Sequence, residues 1–210
     1  MIRILQPRGT YFVRAGKFNA RNFSASSATM TGMAGASKKT PPIVKSIEDE
    51  VQDSNRKHGD SVMVKRVGSK GWGVFATKNF SQGDLCFSAN AIGTYSERTS
   101  HTVQTSWTTH TLMDLPGRFI NHCCTANVGI VDNDAGAFDF KAIHQISIGE
   151  ELVWDYEASE YEISCDFDCV CDRSPRCRGN LKGFKHNGSI IKEQYGEKYI
   201  AGYLKRRGFP

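Results

Sequence analysis

Three cysteines late in the chain, in Cys169-Val170-Cys171 and then Cys177-Arg178-Gly179, constrain the fold more than any other feature. Their spacing is that of metal ligands, and a structural zinc site wants four ligands in a tetrahedron. Three thiolates close together in sequence must take their fourth ligand from a distant part of the chain, which ties the tail to the body of the domain. The competing reading is three unligated or redox-active thiols. Seven cysteines in all, an odd number without a secretory signal, favour metal over disulfides.

The rest of the chain divides by composition. Residues 1–47 hold eight of the 27 Lys and Arg and none of the 22 acids, and they are rich in Ser and Thr. This reads as an organelle-targeting or disordered basic segment, with Arg21-Asn22-Phe23-Ser24 resembling a mitochondrial processing site. Mitochondrion is expected ahead of plastid; a start at Met30 or Met33 would return the protein to nucleus or cytoplasm. The remaining nineteen bases against twenty-two acids leave the folded part mildly acidic, which argues against direct nucleic-acid binding. No run of eighteen apolar residues is present, so no membrane span is expected.

Residues 48–60 read as a linker, following the Gly-, Ser- and Pro-bearing stretch from Ala34. A main domain is expected over 61–164. Val62, Val64 and Val67 predict a strand, Gly68–Gly71 a turn, and Trp72–Ala76 a second strand. Leu85–Phe87, Phe138–Ile143 and Glu151–Asp155 continue the rhythm of short strands between Gly and Asn-Asp turns, which makes the domain mainly β. Cys86 reads as core. At the tail, Ile191, Tyr195, Tyr199, Ile200, Tyr203 and Leu204 recur at spacings of three and four. They predict an amphipathic helix within 188–210, with Lys205-Arg206-Arg207 at its C-terminal end and Gly208 stopping it.

Two further motifs precede the cysteines: Arg118-Phe119-Ile120-Asn121-His122-Cys123-Cys124 and Gly149-Glu150-Glu151-Leu152-Val153-Trp154-Asp155-Tyr156. Taken in order with the cysteine trio, they resemble the core of the SET-domain protein lysine methyltransferases and the zinc-binding post-SET segment behind it. The resemblance implies a knot-like β-clip of short sheets with a post-SET zinc lobe over 165–187. It implies methyl transfer from S-adenosylmethionine (AdoMet) to the side-chain amine of a lysine-bearing protein. It makes Cys124 the fourth ligand beside Cys169, Cys171 and Cys177 for Zn2+. It places Gly71, Trp72 and Gly73 at the opening of the AdoMet pocket, with Asn121 and His122 bonding the methionyl amine and the adenine. Tyr156 falls in the place of the catalytic tyrosine, and Trp154 where the family has a Phe or Tyr that governs how many methyls are added.

The chain departs from the family pattern in several places. The gap before Cys177 holds five residues where four are usual, Cys123 replaces the motif's Ser, and Ala126 a proline before Asn127. Where the family shows Tyr-x-Gly-Glu, the letters are Ala91-Ile92-Gly93-Thr94, with Tyr95 just beyond, and there is no cysteine-rich pre-SET module upstream. A catalytically silent module that binds AdoMet or a protein partner is the alternative these departures favour; intact Tyr156, Asn121 and His122 oppose it. Neither the substrate protein nor the oligomeric state is written in the sequence.

Overall fold

A computed structural model describes residues 45–68, 71–99, 101–163, 168, 169, 171 and 175–205. The targeting reading, which rests on residues up to 44, Cys165, and the stop signals Arg206 to Gly208 all lie outside the described residues.

The stretch expected to be a linker is instead a helix, α1 (Ile47–His58). Its ends explain it. Ser46 caps the start, its hydroxyl accepting from the Asp49 N–H (3.1 Å) while the Asp49 carboxylate accepts from the Ser46 N–H (3.2 Å). Glu48, Asp49 and Glu50 fill the first turn and Arg56, Lys57 and His58 the last, each sign complementing the helix dipole. Val51 is buried beneath it, and Asn55 bonds both the N–H (2.7 Å) and the carbonyl (2.9 Å) of Val64, standing in for a neighbouring strand.

Among the described residues, ten short strands follow: β1 (Val62–Arg66), β2 (Trp72–Ala76), β3 (Leu85–Ser88), β4 (Ala91–Tyr95), β5 (Thr102–Gln104), β6 (His110–Met113), β7 (Asn121–His122), β8 (Val128–Asp132), β9 (Phe138–Ala142) and β10 (Glu151–Trp154). They form three small sheets in the orders β1-β2-β10-β7, β3-β9-β8 and β4-β6-β5. Alternating burial in β1 (Val62 and Val64 inward) and β9 (Phe138 and Phe140 inward) turns one face of each strand to a shared core. Cys86 lies in that core, as the sequence predicts.

The feature that positions the site is the parallel pairing of β7 with β10, which sets Asn121 beside Val153 and His122 beside Trp154. Asn127, fully buried, locks the crossing. Its side-chain oxygen accepts from the Val153 N–H (2.8 Å), and its amide donates to the Glu151 carbonyl (2.8 Å) and the Glu150 carboxylate (3.1 Å).

The C-terminal helix is broken rather than continuous. It begins earlier than expected, as α2 (Phe184–Tyr195), and stops at Gly196, whose φ of 66° only glycine adopts at little cost. A 3-10 turn and the short α3 (Gly202–Lys205) complete the tail. The apolar spacing nevertheless identified the buried residues: Ile191, Tyr195, Tyr199, Ile200, Tyr203 and Leu204 all face the core.

Candidate active site and four-cysteine cluster

The sulfur atoms of Cys124, Cys169, Cys171 and Cys177 lie within 4.8 Å of one another, so the fold brings Cys124 to the late cysteine trio. Four thiolates around a tetrahedral zinc at 2.3 Å would stand about 3.8 Å apart, and the Cys124 and Cys169 sulfurs are at 3.5 Å. Donors surround them: the Arg178 N–H reaches the Cys124 sulfur and the Cys171 N–H the Cys169 sulfur, both at 3.3 Å. Burial pushes the Cys124 thiol up, and the Cys169 thiol up to about 12, so a cation is what would let these thiols ionise. The donor set therefore fits a closed, all-sulfur metal site. Cys123 stays outside it, buried, with its sulfur 3.6 Å from the Thr125 hydroxyl.

Beside this cluster stands His122. Its Nδ1 accepts from the Tyr156 N–H (3.2 Å), which leaves the proton on Nε2 to be donated to the Cys124 sulfur (3.4 Å). Burial, then the Arg178 charge, drives its pKa down to about 3, so the ring is neutral. Both ring nitrogens are thus engaged within the protein.

Next to His122 on β7, the Asn121 amide donates to the Trp72 carbonyl (3.0 Å) and the Glu151 carboxylate (2.8 Å). A side chain on residue 73 would collide there: a Cβ would sit 2.8 Å from the Glu151 carboxylate and 3.2 Å from the Asn121 amide. The Trp72 ring has the Arg66 guanidinium 4.4 Å from its centre and stacks with the Phe119 ring at 5.9 Å. Gly71, Trp72, Gly73 and Asn121 thus share one corner, whose carbonyl and carboxylate suit a cationic amine such as the methionyl ammonium of AdoMet.

Tyr156 opens a 3-10 turn directly after β10. Its hydroxyl donates to the Ile120 carbonyl (3.1 Å), and its ring packs against His122 and Trp154 with centres 5.1 and 5.2 Å apart. Burial, with Glu160 and Glu151 nearby, raises its pKa, so the phenol stays protonated. Tyr156 and Trp154 line a cavity of about 440 Å³ together with Ile120, Met113, Val103 and Glu160. Trp154 is 2% exposed and packs edge-on against Phe140. β4 contributes no aromatic ring to the lining among the described residues: Tyr95 is 45% exposed, its ring folded over Gly93 of its own strand.

One group escaped the sequence reading. Asp155 and Glu157, the neighbours of Tyr156, are both buried, and both are held by Arg178. The guanidinium donates to the two Asp155 oxygens (2.5 and 2.6 Å), to Glu157 (2.6 Å) and to the Cys124 carbonyl (3.3 Å). Burial pushes the Asp155 carboxyl up to about 6 against the pull of Arg178. Glu157 goes the other way. Burial alone would raise it, but the N–H groups of Gly183, Asn187 and Lys182, with Arg178, hold it below the usual range. Arg178 stands in the Cys-Arg-Gly motif, and the acids on either side of Tyr156 were the available signal.

Short sheets around a parallel crossing, a buried tyrosine at a cavity wall and an adjoining four-cysteine cluster define a SET-type domain. Residues 71–157 match the SET domain family. Two curated relatives share stretches of it. The histone-lysine N-methyltransferase SET9 of Chaetomium globosum is 31% identical over 90 residues, covering 41% of this chain and 12% of that protein. Its Neurospora crassa namesake is 34% identical over 68 residues, covering 32% and 8%. The chain thus spans about a tenth of the length of these relatives. Among solved structures, the methyltransferase domain of human PR domain-containing protein 2 aligns with 57% of this chain and 95% of its own, at 16% identity and TM-score 0.43. KRYPTONITE in complex with mCHH DNA, an H3(1–15) peptide and SAH aligns with 57% and 29%, at 20% identity and TM-score 0.46.

Proposed function

We propose that this chain is an AdoMet-dependent protein-lysine N-methyltransferase whose four cysteines hold one structural zinc. The observation that carries the reading is the Tyr156 hydroxyl, fixed on the Ile120 carbonyl at the wall of a largely apolar cavity. AdoMet, when bound, supplies a methyl group on a sulfonium, open to in-line attack by an amine. The chain's own residues do the rest. The corner of Trp72, Asn121 and Glu151 seats the methionyl end, and His122, next along β7, is assigned to the adenine. Tyr156, its proton committed to Ile120, turns hydroxyl lone pairs toward an incoming amine and holds it in line. Trp154, Ile120 and Met113 keep water from the reacting centre, and a desolvated lysine loses its proton more readily than one in water, where its pKa is about 10.4. Zinc with four thiolates has no open position and acts structurally.

The test is an AdoMet titration by calorimetry on the full chain and on Asn121→Ala, followed by transfer of labelled methyl to protein substrates. Binding lost in the variant and transfer lost in Tyr156→Phe are expected. An unbound wild type would sink the cofactor assignment. The outward turn of Tyr95 favours a second reading, a SET module that binds AdoMet without transferring methyl, which binding without transfer would support. The curated relatives are named for histone lysines. The basic, acid-free N-terminal segment favours an organellar destination such as the mitochondrion instead, and imaging of a C-terminal fluorescent fusion decides between nucleus and organelle.

A further inference from the structure

The chemistry proposed for Tyr156 requires its ring to be held in one place, yet it sits on a single 3-10 turn of three residues, Tyr156–Ala158. Its own backbone bonds, Ala158 N–H to the Asp155 carbonyl (2.9 Å) and Ser159 N–H to the Tyr156 carbonyl (3.1 Å), are joined by side-chain supports on either side of the ring. Each neighbour of Tyr156 is a buried carboxylate, and both carboxylates end on Arg178. Arg178 directly follows the cysteine ligand Cys177, and its own N–H is bonded to the sulfur of Cys124. One residue therefore joins the cysteine cluster to both sides of the tyrosine.

The same residue reaches the C-terminal helix. The Cys124 carbonyl accepts from Arg178 (3.3 Å) and from the Gln194 amide of α2 (2.7 Å). The Tyr195 hydroxyl lies 3.0 Å from both that carbonyl and the Asp155 carboxylate. It has one hydrogen to give, and the carboxylate is the stronger acceptor, while Gln194 serves the carbonyl. Glu157, through Lys182, Gly183 and Asn187, holds the start of α2. Two buried carboxylates share one guanidinium, so removal of Arg178 leaves both facing each other without a counter-charge.

We infer that Arg178 is a positioning residue that makes the placement of Tyr156 depend on an occupied cysteine cluster. The inference rests on the assignment of Tyr156 given above. A metal drawing Cys177 toward Cys124 sets the Arg178 backbone, the guanidinium then fixes Asp155 and Glu157, and the ring between them follows. Without the metal, the Arg178 backbone loses that constraint, and the guanidinium no longer holds the two carboxylates at one fixed position, although their other donors remain.

Fluorine NMR of full-length protein carrying fluorotyrosine tests this without need of a substrate. The Tyr156 signal is assigned by its absence in Tyr156→Phe, and Tyr199, over Gly129 on β8, serves as a control. In the zinc-loaded wild type, chelation is expected to move the Tyr156 signal and leave that of Tyr199 in place. Arg178→Lys, loaded with about one zinc per chain, should already show Tyr156 at the chelated position and no longer respond to chelator. Should Arg178→Lys fail to hold zinc, Glu157→Gln, which keeps all four cysteines, is read by the same criterion. A wild-type Tyr156 signal indifferent to chelation, or a zinc-loaded variant matching the wild type, overturns the inference. The AdoMet titration is separate: its failure would remove the cofactor assignment and leave this comparison standing.

Discussion

Glu157 and Glu160 lie one turn apart in the same buried stretch, yet they belong to differently built halves of the site. Glu157 faces the cysteine end, where three N–H groups and Arg178 satisfy its oxygens, and its pKa is lowered. Glu160 faces the cavity end. One oxygen accepts from the Gln104 N–H (2.7 Å); the other lies 2.8 Å from Arg98 without hydrogen-bond geometry, and burial raises its pKa. Two more buried nitrogens without partners, on the side chains of Arg98 and Arg118, belong to residues of the same cavity wall. The cysteine end is a closed polar network with defined partners, whereas the cavity end is shaped by packing, with polar capacity left over. A network of the first kind specifies one geometry; a wall of the second kind tolerates change and adapts to what enters.

The sharpest way to break this contrast is at the metal. Cys171→Ser should abolish zinc retention, taking element analysis from about one zinc per chain to none after dialysis, and chelation of the wild type should give the same loss of thermal stability. Structural zinc contributes on the order of 10 kcal/mol in small isolated sites, so this effect should be the largest. Stability unchanged by chelator would mean that the cysteine end stands on its hydrogen bonds alone.

Trp154→Ala comes next. The ring is almost fully buried among Phe138, Phe140 and Tyr156, and its removal should cost about 3–5 kcal/mol in urea unfolding. A much smaller loss would show the cavity end collapsing into the space. Asn127→Ala should cost about 1–3 kcal/mol, because it leaves the buried Val153 N–H without an acceptor; Asn127→Asp, which keeps that acceptor but sets a buried carboxylate against the Glu150 carboxylate and the Glu151 carbonyl, should cost at least as much at neutral pH.

The smallest effects separate the two glutamates by pH. Glu157, depressed in the fold, adds stability that is present above its unfolded pKa near 4.5 and fades as pH falls through its lower folded value. Glu160, raised in the fold, acts oppositely: its contribution is full below about 4.5 and is lost as pH rises through its higher folded value. Urea unfolding between about pH 3 and pH 7 should therefore show the acid-side fall weakened in Glu157→Gln, and the decline above about 4.5 weakened in Glu160→Gln. Equal slopes in the two variants would erase the distinction.

The sequence was most readable where chemistry demands particular residues at particular spacings. The cysteine trio announced a missing ligand, and the motif around Asn121 supplied Cys124. Short strands were legible because apolar residues alternated between Gly-bearing turns. The helix α1 was not, since a charged stretch with one buried apolar residue reads as a linker unless the Ser46–Asp49 cap and the ordering of its charges are weighed. Gly196 hid the break in the tail because the apolar spacing continued across it. The Asp155–Arg178–Glu157 group was illegible for a different reason: such residues usually sit in water, and only the folded chain shows three of them brought together out of it. The cavity wall has no motif, because shape there comes from residues on separate sheets.

The separation of the four cysteines along the chain would set an order of assembly around a bound ion. Cys169, Cys171 and Cys177 are neighbours that an unfolded chain can gather around an ion, while Cys124 is 45 residues before the first of them. It reaches them only after the two-residue parallel ladder of β7 and β10 has closed a long loop, which is the slow kind of contact to form. An ion captured early would thus wait, three-coordinate, for the body of the domain. Refolding with zinc present from the start should then accelerate only the final step, the docking of the tail, and leave the closure of the central crossing at its own pace.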